Sequence, residues 1–205
     1  MAGLFITLEG GDGSGKSTQS ALLAQWLVSE GHTVVHSREP GGTDLGLELR
    51  EIILHSRGHI VPRAEALLYA ADRAHNVATV VRPAMDRGEI VIQDRYLDSS
   101  VAYQGAGRVL DGSEVRDLSL WAAEGLLPDL TVLLDLGVAE SRARLDADEK
   151  VFDRLESEKA EFHDRVRTSF LALAAAEPDR FLVLDAARAI DELAEAIRVR
   201  VATLL

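Results

Sequence analysis

GGDGSGKST, residues 10–18, follows directly on the apolar run LFITLE at residues 4–9. The stretch fits Gly10-x-x-x-x-Gly15-Lys16-Ser17, the phosphate-binding P-loop, between a predicted strand and a predicted helix. Glycine lets successive backbone N–H groups turn inward around an anion without Cβ collisions. The start of the following helix adds partial positive charge at the same spot. Lys16 suits the β and γ phosphates of a nucleotide, and the Ser17 hydroxyl suits a Mg²⁺ ion. The predicted nucleotide contacts are Gly10, Gly11, Asp12, Gly13, Ser14, Gly15, Lys16, Ser17 and Thr18. A Gly-rich turn without a ligand is the plainer reading, and the complete motif in its proper context argues against it.

Working outward, further apolar runs at 33–37, 89–93, 130–135 and 181–185 lack polar alternation and are rich in Val, Ile and Leu. Strands buried on both faces of a parallel sheet have this pattern. Helical patterns at 17–30, 44–55, 62–87, 112–124, 139–145, 157–176 and 191–202 lie between and after them. Asp44 is the expected cap of the second helix, and Pro83 predicts a break or bend in the third. Strand and helix in alternation imply an α/β fold with a parallel sheet. No repeat or linker interrupts the 205 residues, so one domain, 1–205, is expected.

The net charge of −12 argues against general nucleic-acid binding, which needs a basic face. An anionic ligand would need its own arginines or a metal ion against that field. There is no cysteine, hence no disulfide framework, and no apolar run long enough to span a membrane. A cytoplasmic protein is expected. The six histidines show no ligand spacing, so no zinc site is predicted.

A second informative stretch is EIVIQDRYLDSSVAYQGAGR, residues 89–108. Its strand ends in Asp94 and Arg95. Ligands of parallel sheets bind at the carboxyl ends of strands, so this pair is expected to face the P-loop crevice. Asp94 can order Mg²⁺ through water, and Arg95 can clamp a second phosphate with its planar fork. The plainer reading is a surface Asp–Arg ion pair. A P-loop alone also leaves open a switch GTPase or a regulatory ATPase. The Asn-Lys-x-Asp signature of guanine recognition is absent, because the single asparagine, Asn76, precedes Val77.

GGDGSGK, REPGGT at 38–43, ADRAH at 71–75 and DRYLDSSVAYQG at 94–105 come in the order and spacing of bacterial thymidylate kinases. The chain resembles that family from Phe5 to about Leu184. The resemblance implies a three-layer P-loop NTPase-type α/β fold, with a five-stranded parallel sheet, a short helical lid at about 139–157, and commonly a homodimer. It implies transfer of the γ-phosphate of ATP to dTMP, with Mg²⁺. By resemblance, Asp12 sits near the acceptor sugar and phosphate, and Arg95 clamps the dTMP phosphate. Tyr69 and Arg73, which share a helical face, match the positions that stack on and hydrogen-bond to thymine. From spacing alone, Tyr69 would be core and Arg73 solvated. Ser100 matches a position reading the base edge. Tyr103 matches the ring that crowds the sugar 2′ position, and Gln104 a further acceptor contact. Glu39 lies in the loop bordering the acceptor.

The same resemblance assigns a lid arginine to the γ-phosphate in enzymes with glycine at the position of Gly13. The DRLE match favours Arg154, with Arg142, Arg144 and Lys150 as alternatives. The segment LDADEKVF departs from the denser arginine run of such lids. The rival expectations are another nucleoside monophosphate kinase on this fold and an ATP-binding regulator without an acceptor.

Overall fold

The computed structural model describes residues 3–56, 58–108, 110–147 and 153–205. Strands β1 (Leu4–Glu9), β2 (Val34–Arg38), β3 (Ile90–Asp94), β4 (Leu130–Asp135) and β5 (Phe181–Asp185) form one sheet in the order β2-β3-β1-β4-β5, with every pairing parallel. The helices are α1 (Lys16–Ser29), α2 (Asp44–His55), α3 (Pro62–Asn76), α4 (Arg82–Asp86), α5 (Leu97–Ser100), α6 (Gly112–Ala122), α7 (Val138–Ala147), α8 (Ala160–Ala176) and α9 (Ile190–Ala202).

The apolar runs are continuous because both faces of the sheet are covered. On one face, Ile6 and Leu8 pack with Leu23 and Leu27 of α1 and with Leu193 and Ile197 of α9. On the other, Phe5 packs with Val77, Val81, Tyr96 and Leu97. Phe162, Val166 and Phe170 of α8 cover Leu133 and Phe181. Each such buried aliphatic side chain contributes about 2 kcal/mol relative to exposure. The chain winds from β1 to β2 and β3 on one side, then crosses to β4 and β5 on the other. That reversal opens a crevice at the carboxyl ends of β1 and β3.

The structure corrects several local expectations. The cap of α2 is Thr43, whose extended backbone lets Oγ1 accept from the Gly46 N–H at 2.9 Å; Asp44 is the first helical residue. The break expected near Pro83 in the 62–87 pattern is present as a π-helical segment, Val77–Val81. A proline has no N–H to give the preceding turn, and a widened turn accommodates it. After Asp94 no helix is expected, yet α5 runs into a second π-helical segment, Val101–Gly107. The sequence pattern assigns no element to this stretch, and α6 and α8 pack against it. Among the described residues, no helix is long and apolar enough to cross a membrane.

Candidate active site

The P-loop leaves β1 at Glu9 and enters α1 at Lys16, with Gly10, Gly13 and Gly15 at positive φ. At Gly10 a Cβ would stand 2.4 Å from the Leu134 carbonyl oxygen, so β4 leaves room there only for backbone. Lys16 curls back into the loop, and its Nζ donates to the carbonyls of Gly10 at 3.2 Å and Gly11 at 2.8 Å. Burial, and then the Arg95 charge, pull the Lys16 ammonium below the usual lysine range. Ser17 and Thr18 are exposed at the mouth of the loop.

β3 lies beside β1 with Asp94 opposite Leu8. One residue on, the Arg95 N–H donates to the Leu8 carbonyl at 3.0 Å, with φ at 64°. This left-handed turn sends the arginine over the P-loop. Its guanidinium donates to Asp12 Oδ1 at 2.6 Å, to the Gly10 carbonyl at 3.0 Å and to Ser99 Oγ at 3.2 Å. It also lies 5.0 Å from the Tyr103 ring centroid. Arg95 is therefore not a surface partner of Asp94. Asp94 keeps a buried Oδ1 with no hydrogen-bond partner. Burial opposes ionisation of Asp12, and the charges of Arg95 and Lys16 outweigh it and hold the carboxyl below its usual range.

Both elements open on a cavity of about 690 Å³ whose far wall is α3 and the helical stretch after β3. Tyr69 and Arg73 line it from successive turns of α3. Arg73 is not solvated: it is 1% exposed and paired with Glu39 at 2.7 Å. It donates to Ser100 Oγ and Ser119 Oγ, each at 3.0 Å, and stacks on Tyr96 with 5.3 Å to the centroid. Its Nε has no partner. Burial pushes Glu39 up to about 7, against the pull of Arg73. Asn76 and Gln93 also donate to Glu39, which ties the REPGGT loop to α3 and β3. Tyr103 donates to Asp12 Oδ2 at 3.5 Å, and Gln104 donates to Glu65 Oε1 at 3.0 Å.

The lid arginines divide. Arg144 lines the cavity and donates to the Gly13 carbonyl at 3.2 Å and the Ala186 carbonyl at 2.9 Å. Arg142 pairs with Asp146 on the exposed side of α7. Arg154 is held away from the P-loop, paired with Glu65 at 2.5 Å and donating to the Ile53 carbonyl at 2.9 Å. The structure thus brings Arg144, and not the favoured Arg154, to the phosphate cradle. Lys150 lies outside the described residues.

Sequence reasoning missed Glu9, Glu65, Arg38 and Arg50. Glu9 and Glu65 are both fully buried, the first closing LFITLE and the second inside AEALL. An acid in an apolar run was the available signal, because such a charge must find partners. Arg38 and Arg50 line the cavity, and Arg50 donates to the Pro40 carbonyl at 2.9 Å.

Residues 8–197 match the family described as Thymidylate kinase. The thymidylate kinase of Clavibacter michiganensis subsp. michiganensis is 73% identical over 205 residues, covering 100% of this chain and 97% of the relative. That of Bifidobacterium longum subsp. infantis is 53% identical over 209 residues, covering 100% of this chain and 88% of the relative. Among solved structures, thymidylate kinase from Ehrlichia chaffeensis superposes with a TM-score of 0.74 at 34% identity, over 90% of this chain and 93% of that one.

Proposed function

We propose, from the premise that this chain belongs to the thymidylate kinase family, a division of labour within its cavity. The enzyme is an ATP-dependent phosphotransferase that moves the γ-phosphate of ATP to dTMP, giving dTDP and ADP. The observation that carries the site reading is the parallel pairing of β1 with β3, which aims the P-loop and Arg95 into one cavity.

On the donor side, the backbone from Gly10 to Thr18 receives the ATP phosphates. Lys16 leaves the Gly10 and Gly11 carbonyls for the β and γ oxygens. On the acceptor side, Arg95 exchanges Asp12 for the dTMP phosphate, and Asp12 stays beside the sugar. Tyr69 stacks on thymine. The unpartnered Arg73 Nε and Ser100 address the base, Gln104 makes a further acceptor contact, and Tyr103 crowds the sugar 2′ position. Glu39 holds Arg73 in place.

The acceptor phosphate has a second pKa of about 6 and is largely a dianion at neutral pH, so no general base is needed. Positioning and charge neutralisation lower the barrier. Arg144 is the lid cation already at the P-loop, and Arg154 reaches the transferring phosphate once its Glu65 pair opens. Mg²⁺ would be held by the Ser17 hydroxyl and, through water, by the orphan Asp94 Oδ1, and would supply positive charge beside the β and γ phosphates. No cluster of three or more His, Cys, Asp or Glu side chains stands ready for a metal among the described residues, so phosphate and water would complete the shell.

The chain is read as one domain, 1–205, located in the cytoplasm. A homodimer is supported by exposed apolar side chains on the adjoining helices α3 and α6, Leu67 and Trp121. Light scattering tests it.

The functional test is ADP release from Mg·ATP with dTMP, dUMP, dCMP, dGMP, UMP and no acceptor. Turnover is expected to be highest with dTMP and weaker with dUMP. Equal turnover with a different base would refute the base-side assignments, and acceptor-independent release would refute the acceptor site.

A further inference from the structure

Glu9 is a buried acid that the reaction outlined above does not use. It closes β1 on the same face as Phe5 and Thr7 and is 0% exposed. A carboxylate taken out of water must be matched by donors, or it destabilises the fold. All its partners lie on the neighbouring turn after β3. Oε1 accepts from the Tyr96 N–H at 2.7 Å and the Ser99 N–H at 3.3 Å. Oε2 accepts from Ser99 Oγ at 2.5 Å. The same hydroxyl accepts from the Arg95 guanidinium at 3.2 Å. One side chain thus grips the backbone on the far side of Arg95, and through Ser99 it also meets the arginine's own head group.

This grip falls where the chain is least comfortable. Arg95 has a φ of 64°, a region that residues other than glycine, asparagine and aspartate seldom occupy. Such a conformation persists only when its surroundings over-determine it. The Leu8 carbonyl fixes the Arg95 N–H, and Glu9 fixes the next one, at Tyr96. Both anchors come from the strand that carries the P-loop.

We propose that Glu9 is a positioning residue for the acceptor phosphate, holding the 95–99 turn so that the Arg95 guanidinium is preset over the P-loop. The proposal rests on the reading of Arg95 as the dTMP phosphate clamp. Glu9 touches no substrate and acts through Ser99 and the turn backbone. A purely structural acid would weaken the donor and acceptor sites together, whereas a positioning residue acts on the acceptor and only through Arg95.

The test is calorimetric binding of dTMP and, separately, of ADP to the wild type, Glu9→Gln, Ser99→Ala, Arg95→Ala and the double variants with Arg95→Ala. Ser99→Ala removes only the shared hydroxyl and carries the test if Glu9→Gln does not fold. Each single change at 9 or 99 is expected to weaken dTMP by about tenfold and ADP by less than about twofold, the scale of one buried hydrogen bond. In the Arg95→Ala background the further loss is expected to vanish. An undiminished loss in that background, an equal loss of ADP, or unchanged dTMP binding in the single variants overturns the proposal. Arg95→Ala that binds dTMP like the wild type overturns the clamp reading itself, and the proposal with it.

Discussion

Arg95 combines a functional side chain with an unfavourable backbone, and two substitutions separate them. Arg95→Ala and Arg95→Gly both delete the contacts to Asp12, Gly10, Ser99 and Tyr103, so that loss is common to both. They differ in the backbone. At a φ of 64° alanine keeps the left-handed penalty of about 1–2 kcal/mol, whereas glycine is free of it. Glycine also loosens the unfolded chain, which offsets about 0.4–1 kcal/mol of the gain. Arg95→Gly is therefore expected to be the more stable variant by about 1 kcal/mol. At an ordinary helix or strand position the sign is reversed, so the sign alone is diagnostic. Urea denaturation followed by tryptophan fluorescence gives the difference. For a chain of this size it corresponds to about 2–4 °C in thermal midpoint. Both variants are expected to lose about a hundredfold or more in kcat/KM for dTMP, since a charged fork on a phosphate is removed. If Arg95→Ala equals or exceeds Arg95→Gly in stability, the strained-turn argument is wrong. Retained kcat/KM in either variant would remove Arg95 from the acceptor site.

Three further outcomes are expected. Arg154→Ala should lower kcat far more than it raises KM for dTMP, and an unchanged kcat would pass the role to Arg144, which already touches the P-loop. Gly10→Ala should lower stability by about 3 kcal/mol through positive φ and overpacking against the Leu134 carbonyl, and should raise KM for ATP; a thermal midpoint within a degree of wild type would contradict this. Glu39 is pushed from the usual 4.5 up to about 7, so the folded state holds a proton that the unfolded chain releases. Its contribution is full below pH 4.5 and fades as pH rises through 7, at up to about 1.4 kcal/mol per pH unit. Glu39→Gln should flatten that fall in a urea series from pH 5 to pH 8, and an unaltered slope would count against the assignment.

The sheet and the P-loop were legible because their signals are local. Unbroken Val, Ile and Leu runs announce strands covered on both faces, and glycine spacing announces an anion held by backbone. Arg73 was legible in position but not in environment. Its helical spacing is that of a solvated residue, and its burial depends on Glu39, Ser100 and Ser119, which come from three other parts of the chain. Residues 97–107 resisted reading for a similar reason, since only α6 and α8 make a helix of so glycine-rich a stretch. Arg154 was chosen by its DRLE neighbours, while its present partner, Glu65, is far away in sequence. Glu9 reads as the polar end of the LFITLE strand, and its partners, Tyr96 and Ser99, lie far away in sequence.

The β1–β3 pairing has a consequence for reach. Leu8 lies opposite Asp94, so the two phosphate-handling turns start from the same rung of one ladder, on neighbouring strands about 4.8 Å apart. A one-residue slip would turn every side chain of β3 to the wrong face, and a two-residue slip would displace the turn by about 6.6 Å. The sheet therefore serves as a ruler between giver and receiver. Side-chain changes around the cavity can alter charge, shape and preference, but the span to be crossed is written in the backbone and is as stiff as the sheet itself.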